Sequence, residues 1–393
     1  MINSQRLLDT FLTLVRINGP SGNEIKVAEY IKQTLTELNI QWQEDRAGST
    51  FGGNSGNIIA TLDGINNLPS IFLCAHMDTI QPTLRLNPTV SEDGTIASDG
   101  TTILGADDRA GIAIILEIIK TIKENDIDTL PINLIFTVAE EIGMFGSKYL
   151  SIGKINSKIG FVFDSSAEPG KIIISAPAAV KLNIKIKGKA AHAAVQPEQG
   201  INAITIACNA IAKIKVGRIS NTCTVNFGVI KGGTLINVIP EEVEIDGEIR
   251  SLLESELLDQ INLMQSIFEE STKQAGGKLE FLITRKYYSF NLAEDNDVVV
   301  IAKNAIEKTG SVPNTIKYSG GSDANVFNAL GIPTVNLGIG FRNVHSDSEF
   351  ISSSNLVKAA QIGLEIVTSS LEYFSTENGN VKSENSKRDN QHL

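Results

Sequence analysis

The chain has 393 residues, of which 42% are hydrophobic and 20% are charged. These proportions are ordinary for a globular protein, and the length suffices for two or three domains. A net charge of −11 argues against a nucleic-acid backbone as the main partner. No apolar run has the length of a membrane span, and the N-terminus lacks the pattern of a secretory signal. We therefore expect a cytoplasmic protein that binds neither nucleic acid nor membrane.

The first 177 residues alternate helices and strands. Apolar periodicity predicts helices over 4–15, 25–38 and 110–123. Ser21 followed by Glu24 predicts a capping box before the second helix. Short apolar runs predict strands at 57–62, 71–75, 132–138 and 159–163. Continuous apolar strands separated by helices indicate a largely parallel sheet that is covered on both faces.

Residues 178–290 follow a different pattern, with polar and apolar residues alternating along the strands. Strands are predicted at 180–187, 223–229, 243–250 and 279–283, with helices at 200–214 and 255–274. Ser255 is the predicted N-cap of the second of these helices. The order βαββαβ predicts a four-stranded antiparallel sheet with two helices on one face. We expect it to be an inserted domain that serves as a lid or a dimerisation surface.

Alternation of helices and strands resumes after residue 290, with a helix at 298–309, a strand at 333–337 and a helix at 355–374. The predicted fold class is therefore α/β, a mostly parallel sheet sandwiched by helices, with an inserted α+β domain. The predicted domains are a discontinuous catalytic domain, 1–177 plus 291–374, and the inserted domain, 178–290. The polar segment 375–393 is predicted to be a disordered tail.

Histidine and cysteine are scarce, which narrows the search for a reactive site. The three cysteines show no paired spacing, which favours buried apolar roles over disulfides or metal ligation. They are Cys74, Cys208 and Cys223. Of the four histidines, His392 falls in the polar tail and is expected to be inert. The other three are His76, His192 and His345.

Polar side chains follow several of the predicted strands, where open α/β sheets place their sites. Each pair taken singly has a structural explanation, such as a helix N-cap or a satisfied strand-end histidine. Together these carboxylates would repel one another, and a divalent cation would remove the conflict. Histidine with carboxylates suits zinc, with manganese or cobalt as alternatives. The clusters are His76 with Asp78, Asp107 with Asp108, Glu140 with Glu141, Asp164, and His345 with Asp347.

A two-metal site bridged by one carboxylate would use five protein ligands, and a remaining acid could serve as general base. Competing chemistries lack their motifs. The sequence contains no GxSxG nucleophile elbow, no Walker A motif and no GxGxxG.

Five segments in this order resemble the M20 family of dinuclear zinc peptidases and amidohydrolases, over the chain up to about Phe374. Within that family the sequences of these segments are most similar to the peptidase T (tripeptidase) and peptidase-T-like branch. The chain is short for a tripeptidase, and Arg109 stands where that branch commonly has lysine, which favours the peptidase-T-like assignment. The segments are Ala75-His-Met-Asp-Thr79, Thr101-Thr-Ile-Leu-Gly-Ala-Asp-Asp-Arg-Ala-Gly111, Glu140-Glu-Ile-Gly143, Ser319-Gly-Gly-Ser-Asp-Ala-Asn325 and Val344-His-Ser-Asp-Ser-Glu349.

The resemblance implies a role for each residue of the expected site. His76 and Asp164 would hold one zinc ion, Glu141 and His345 the other, and Asp107 would bridge them. The Asp107–Asp108 peptide bond would be cis. Asp78 would orient His76. Glu140 would be the general base that takes a proton from the attacking water and delivers it to the leaving amine.

The resemblance also implies substrate contacts from the inserted domain and the loop after it. His192 would donate a hydrogen bond to the oxyanion, often across a dimer interface in relatives. Asn237 and Arg250 match positions that bind substrate, and an arginine fork suits a carboxylate. Gly320 and Gly321 could offer backbone donors to the substrate terminus.

The predicted function is a two-zinc exopeptidase that releases the N-terminal residue of di- or tripeptides, with a homodimer through the inserted domain as a further expectation. One alternative keeps the metal site but removes the acyl group from N-acyl amino acids. A second alternative is a non-catalytic metal-binding dimer. The intact positions of Asp78 and Glu140 argue against the second, because a non-enzyme needs no general base.

Overall fold

The computed structural model describes residues 1–150 and 156–389. The chain forms two compact units. Unit 1 contains Met1–Ile174, Asn291–Lys317 and the residues from Ser322 onward. Unit 2 contains Ser175–Phe290 together with Tyr318–Gly321. Its lid or dimerisation role stays a prediction.

Most helices in the described chain lie close to where apolar periodicity predicts them. The helices are α1 (Ser4–Arg16), α2 (Ile25–Glu37), α3 (Ala106–Glu124), α4 (Phe145–Lys148), α5 (Ala203–Ile211), α6 (Glu254–Gln274), α7 (Asp297–Lys308), α8 (Asp323–Ala329) and α9 (Ser353–Asp389). The short helices α4 and α8 were not predicted.

The larger sheet has nine strands in the order β1-β2-β6-β3-β7-β16-β8-β14, with β15 also paired to β8. Its centre is parallel, since β3 pairs in parallel with β6 and β7, and β16 pairs in parallel with β7. These strands are β1 (Trp42–Glu44), β2 (Ile58–Leu62), β3 (Ser70–His76), β6 (Ile132–Thr137), β7 (Ser157–Val162), β8 (Lys171–Ala176), β14 (Phe290–Asn291), β15 (Asn314–Lys317) and β16 (Thr334–Leu337).

Two smaller sheets complete the structure. A three-stranded sheet has the order β17-β5-β4, and a five-stranded antiparallel sheet in unit 2 has the order β10-β11-β12-β9-β13. The strands are β4 (Thr89–Val90), β5 (Thr95–Ala97), β17 (Phe350–Ser352), β9 (Ala178–Lys187), β10 (Gly217–Arg218), β11 (Cys223–Gly232), β12 (Glu242–Ser251) and β13 (Lys278–Tyr287).

Each unit has its own hydrophobic core. Helix α3 is buried at nearly every position from Ala110 to Ile122, and its apolar side chains join the core of unit 1, because the helix packs against β3, α1 and α9. This burial explains why the helix is apolar on most faces. In unit 2, the alternating strands direct Val180, Leu182, Ile184 and Ile186 toward α5 and α6. Polar residues between them face away, as period-two alternation requires.

The structure differs from the sequence predictions at several elements. The unit 2 sheet has a fifth strand, β10, whose two residues are too few to leave a pattern in the sequence. Helix α6 begins at Glu254 with Leu253 at the N-cap, so Ser255 is not the N-cap. Ser251 instead accepts a hydrogen bond from the Leu253 backbone as β12 ends. β8 and α8 are further elements that the prediction lacked.

Helix α9 continues beyond Phe374, the predicted end of the folded chain. It runs to Asp389, and the predicted disordered tail over 375–393 stays a prediction. The segment contains no proline, and extending a packed helix costs much less than nucleating one. Residues 390–393 lie outside the described chain. None of the described helices combines the length and apolar character that crossing a bilayer requires.

Gly160 in β7 makes room for an aromatic ring on the neighbouring strand. A Cβ atom at this position would lie 1.9 Å from the ring of Phe72, which in turn packs against Phe327 with ring centroids 4.4 Å apart. We expect Gly160→Ala to lower the free energy of unfolding by about 1–3 kcal/mol, because the ring must shift within a packed core.

Denaturant unfolding would measure this effect, with Gly228→Ala as the matched control. A Cβ at Gly228 meets only the Asn226 side chain at an ordinary 3.5 Å, so its change should stay within about 0.5 kcal/mol. Equal changes for the two variants would show that the contact with Phe72 is not restrictive.

Candidate metal centre and active site

Three parallel strands end side by side and place acidic and histidine side chains at one edge of the sheet. His76 is the last residue of β3. Glu140 and Glu141 follow β6 after two residues, and Asp164 follows β7 after one. His76 pairs with Thr137 across the sheet, so the ends of β3 and β6 are level. The topology thus produces the convergence that strand ends in one sheet predict.

The start of α3 presents Asp107 to the same edge. Gly105 has a φ of 73°, a left-handed conformation that favours glycine. Asp107 itself has non-helical angles, φ −81° and ψ 102°, inside the first turn. The Asp107–Asp108 peptide bond is cis, as the family resemblance implied. Because its backbone angles are non-helical, Asp107 does not continue a regular first turn of α3.

The two carboxylate oxygens of Asp107 face two different sets of ligand atoms. On one side, His76 Nε2 lies 3.0 Å from Asp107 Oδ1 and 3.8 Å from Asp164 Oδ1. On the other side, His345 Nε2 lies 3.6 Å from Asp107 Oδ2 and 3.0 Å from Glu141 Oε1. The five residues expected to hold two metal ions are thus together, with Asp107 between the two histidines.

Asp108 is also close, since its carboxylate groups with His76 and Asp164 as a set of ligand atoms within 4.8 Å of one another. Its two oxygens, however, accept hydrogen bonds from the backbone N–H groups of His76 at 3.1 Å and Gly111 at 3.0 Å. Asp108 therefore joins the end of β3 to the first turns of α3 through its two backbone hydrogen bonds.

Charges in this cluster conflict strongly. Burial, followed by the charge of Asp107, raises the pKa values of Asp164 and Glu141 above the ordinary range. Burial opposes ionisation of Asp107 as well, but hydrogen bonds from His345 and His76 lower its pKa. Hydrogen bonds to Asp107 and Glu141 raise the pKa of His345 to about 10. Without a cation, protons on the histidines and carboxylates offset the negative charge of the cluster. Bound cations would neutralise that charge instead.

The donor set fits two divalent metal ions. Ligands bound tetrahedrally at about 2.0–2.2 Å lie about 3.3 Å apart, and the four distances around Asp107 are within about half an ångström of that value. One histidine and two carboxylate oxygens on each side form a mixed N/O set that suits zinc, manganese or cobalt. Bound cations would also remove the repulsion among the buried carboxylates.

Asp78 organises the loop that carries Glu140. Its Oδ1 lies 3.3 Å from His76 Nδ1 and accepts the Glu140 N–H at 2.9 Å. Its Oδ2 accepts the Glu141 N–H at 3.2 Å and the Ser21 hydroxyl at 2.6 Å. Burial opposes ionisation, but the hydrogen bond with His76 lowers the pKa of Asp78. An ionised Asp78 can thus orient His76 and place both glutamates.

Glu140 is buried, with 8% of its surface exposed, and it is free of the contacts that group the metal ligands around Asp107. Burial raises its pKa well above the ordinary value, and the negative charges of Asp323, Glu141 and Asp78 add to the effect. A buried carboxyl group beside the ligand cluster is a candidate for proton transfer, the role that the family resemblance implied for Glu140.

Comparison with known proteins agrees with this geometry. Residues 72–369 match peptidase family M20/M25/M40, and they make up most of the chain. The chain belongs to this M20 family. Membership in a peptidase family makes it a peptidase hydrolase, and the alternative of a non-catalytic metal-binding module is not supported.

Relatives of this M20 peptidase cover nearly all of its length. The uncharacterized protein YqjE of Bacillus subtilis is 40% identical over 367 residues, 93% of this chain and 99% of that one. Peptidase T of Desulfitobacterium hafniense is 26% identical over 402 residues, 92% of this chain and 93% of that one. The predicted resemblance to the peptidase T branch is confirmed.

Two solved structures share its fold. Aminopeptidase PepT from Bacillus cereus has a TM-score of 0.88 and 38% identity, covering 94% of this chain and 99% of that chain. A tripeptidase from Staphylococcus aureus has a TM-score of 0.91 and 37% identity, with the same coverage. The predicted fold class, a mostly parallel sheet with helices and an inserted α+β domain, is confirmed.

The predicted capping box of Ser21 and Glu24 is wrong. They form no capping box, because Glu24 is itself the N-cap of α2 and makes no side-chain capping bond. The Ser21 hydroxyl donates to Asp78, and Glu24 Oε1 accepts the Ala139 N–H at 3.0 Å. Both side chains of this M20 peptidase thus support residues next to the site rather than the helix start.

Glu349 and Asn336 are further supporting residues without an assigned role in the sequence analysis. Glu349 is buried and accepts the N–H groups of Gly105 at 2.7 Å and Asp107 at 3.1 Å. Asn336, in β16, accepts the Asp164 N–H at 3.0 Å and donates to the Asp164 carbonyl at 2.6 Å. Glu349 lies within the sequence motif that contains His345, so this motif could have indicated its role. No sequence motif indicated a role for Asn336.

Arg109 and Asp323 are buried charges beneath the site. Arg109 donates to the carbonyls of Met77 and Gly19, and the charges of Asp78 and Glu24 partly offset the cost of burying it. Asp323 accepts hydroxyl hydrogen bonds from Thr137 and Ser147, both at 2.5 Å. Each joins chain segments that are far apart in sequence, so sequence spacing could not reveal these contacts.

The predicted substrate-binding residues lie in unit 2. His192 is exposed, and its Nδ1 accepts the N–H groups of Ala194 and Val195, both at 3.2 Å. The Asn237 carbonyl accepts the Ala193 N–H at 3.0 Å, which places Asn237 beside His192 in this unit. Their substrate roles stay predictions.

Arg250 and the two glycines have other surroundings in unit 2. Arg250, in β12, forms a double hydrogen bond with Glu248, through Nε at 2.7 Å and Nη2 at 3.0 Å. Its guanidinium is thus held by a carboxylate on the same strand. Gly320 and Gly321 belong to the short segment Tyr318–Gly321. Substrate binding by these three residues stays a prediction.

Proposed function

We propose that this protein is a metallo-exopeptidase that releases the N-terminal residue of short peptides, with two zinc ions and Glu140 as general base. The observation that carries the proposal is that the two carboxylate oxygens of Asp107 face different ligand atoms. One oxygen faces His76 and Asp164, and the other faces His345 and Glu141. The aminopeptidase and tripeptidase structures at 37–38% identity support the exopeptidase specificity.

Bound metal ions would polarise the scissile carbonyl and lower the pKa of the attacking water, so that it loses a proton more readily and becomes a stronger nucleophile. The ions would be held by the five residues around Asp107, namely His76, Asp164, Asp107, Glu141 and His345. Glu140 would accept the proton that the attacking water loses and then deliver it to the nitrogen of the leaving amine. Asp78 would keep the Glu140 backbone in position through its hydrogen bond to the N–H.

His192 is proposed to donate a hydrogen bond to the developing oxyanion. Because its Nδ1 accepts two backbone N–H groups, the proton of the neutral ring resides on Nε2, which is then available as a donor. Asn237, Arg250, Gly320 and Gly321 are proposed to bind the substrate, and a carboxylate there would have to compete with Glu248 for Arg250.

Hydrolysis of a small substrate panel tests this function. The panel contains di- and tripeptides, the same tripeptides N-acetylated, and N-acyl amino acids, each with zinc-loaded and chelated enzyme. Cleavage of free peptides only, lost on chelation and restored by zinc, is the expected result. Cleavage of the N-acyl compounds instead would establish the amidohydrolase alternative. No turnover of any compound would contradict the proposed function.

A homodimer through unit 2 is part of the proposal. β10 pairs with β11 only at Thr224 and Val225, so Asn226–Gly232 has no strand on that side within the described chain. Val229 and Ile230 on this edge are 43% and 53% exposed. A second copy that pairs its own β11 along this edge would cover both.

Light scattering after size exclusion should therefore give twice the chain mass, and Ile230→Lys should shift the protein toward monomer. The control is Leu282→Lys on β13, the opposite edge of the sheet, where the exposed fraction is 63%. This control should stay dimeric. A monomeric wild-type protein, or equal behaviour of the two variants, would contradict the dimer.

A further inference from the structure

Glu24 is a fully buried carboxylate that contacts the backbone just before the two site glutamates. It has no exposed surface. Its Oε1 accepts the N–H of Gly22 at 2.8 Å and the N–H of Ala139 at 3.0 Å. Glu24 and Ala139 are 115 residues apart, so this contact ties the N-terminal loop to the end of the β6 segment.

Ala139 has a backbone conformation that needs support. Its φ is 51°, in the left-handed region that residues with a Cβ rarely adopt. Its carbonyl accepts the N–H of Phe145 at 3.0 Å, so the bond to Glu24 secures the other side of the residue. The conformation of Ala139 therefore sets the direction of the backbone at Glu140 and Glu141, which follow it in the chain.

A carboxylate at this position is electrostatically expensive, because it is buried and lies near the negative charge of Asp78. The buried guanidinium of Arg109 compensates part of the cost. A neutral side chain would avoid both the cost and the need for compensation. Proteins accept such local conflicts mainly at functional sites.

We propose that Glu24 is a positioning residue that fixes the Ala139 turn and thereby aims Glu140 and Glu141 into the site. The proposal rests on the proposed function in so far as Glu140 acts as the base and Glu141 as a metal ligand. Within the described chain, the hydrogen bonds of the Glu24 carboxylate go to the backbone N–H groups of Gly22 and Ala139, so it acts on the site through the Ala139 backbone.

The variants Glu24→Met and Glu24→Gln form a matched pair. Methionine fills a similar volume but leaves the Ala139 N–H without an acceptor. Glutamine keeps a carbonyl oxygen that can accept both N–H groups, since a single oxygen of Glu24 accepts both now. We expect Glu24→Met to lower kcat about 10- to 100-fold, with KM changed less than about threefold. Glu24→Gln should stay within about threefold of wild type.

Metal binding measured by calorimetry provides a readout that does not depend on peptide hydrolysis. In Glu24→Met, one of the two metal affinities should fall about 10-fold or more, because Glu141 follows the freed turn directly. Glu24→Gln should bind both ions as the wild type does. If the wild-type enzyme hydrolysed no peptide, the proposed function would fail, whereas the affinities would still test Glu24.

Glu117→Ala controls for simple loss of stability. Glu117 is also a buried carboxylate that accepts a backbone N–H, from Asn3 at 2.8 Å, but it binds Arg6 away from the metal ligands. This variant should lower the melting temperature and leave kcat and both metal affinities unchanged. If Glu24→Met failed to fold, Glu24→Ala would replace it. A folded variant with wild-type kcat and wild-type metal affinities would overturn the proposal.

Discussion

Glu140→Gln is expected to lower kcat about 10²- to 10⁴-fold, the range for loss of a general base, with little change in KM. The amide has nearly the same shape as the carboxylate but cannot take up the proton of the attacking water. The backbone N–H of residue 140 would still donate to Asp78, so the turn should keep its geometry. Steady-state kinetics and metal analysis of the same preparation measure the two consequences.

The neighbouring variant Glu141→Gln separates loss of a base from loss of a ligand. Glu141 lies 3.0 Å from His345 Nε2, so its replacement should weaken metal binding as well as turnover. Glu140→Gln, in contrast, should retain both metal ions. A Glu140→Gln enzyme with kcat within threefold of wild type would exclude Glu140 as the base. Loss of metal from the Glu140→Gln enzyme would instead identify Glu140 as a metal ligand.

Asp107→Asn is expected to abolish two-metal binding and to lower activity about 10³-fold or more. An amide offers one oxygen, whereas the structure presents one Asp107 oxygen to His76 and the other to His345. Metal affinity should fall at least about 100-fold for one ion, more than is typical for residues that only support a ligand. Calorimetric titration with zinc of the metal-free protein measures this change.

Asp347→Asn is the control for this experiment, because Asp347 is an exposed acid two residues from His345. It belongs to the same cluster in the sequence but not to the group of ligand atoms around Asp107. It should keep both ions and activity within about threefold of wild type. Two tightly bound ions in Asp107→Asn would disprove the bridging role.

The sequence allowed prediction of the fold class and of the residues that converge around Asp107. Buried parallel strands are continuous apolar runs, so their ends and the polar residues after them are visible in the sequence. His76, Glu140 and Asp164 each follow such a run. Because strand ends in one sheet must lie at one edge, spacing along the chain was enough to predict that they meet.

The supporting residues could not be predicted in this way. Ser21 and Glu24 match a helix-capping pattern, but their side chains bond to Asp78 and Ala139 instead. A local pattern predicts only the local partner, whereas here the Ser21 hydroxyl donates to the buried Asp78 carboxylate and Glu24 accepts the Ala139 N–H, both from distant segments. Short strands such as β10 were also not predicted, because two residues are too few to show a periodicity.

The sequence by itself determined most of the longer elements, the parallel sheet, the inserted domain and the residue types of the candidate metal centre. These follow from hydrophobic periodicity and strand order, which are properties of the chain in one dimension. Only the tertiary structure decided which oxygen of Asp107 faces which histidine, that Asp108 binds backbone rather than joining them, and that Glu24 holds the Ala139 turn. Such contacts depend on distances between segments more than 30 residues apart or on backbone angles at single residues, and neither is encoded in spacing along the chain.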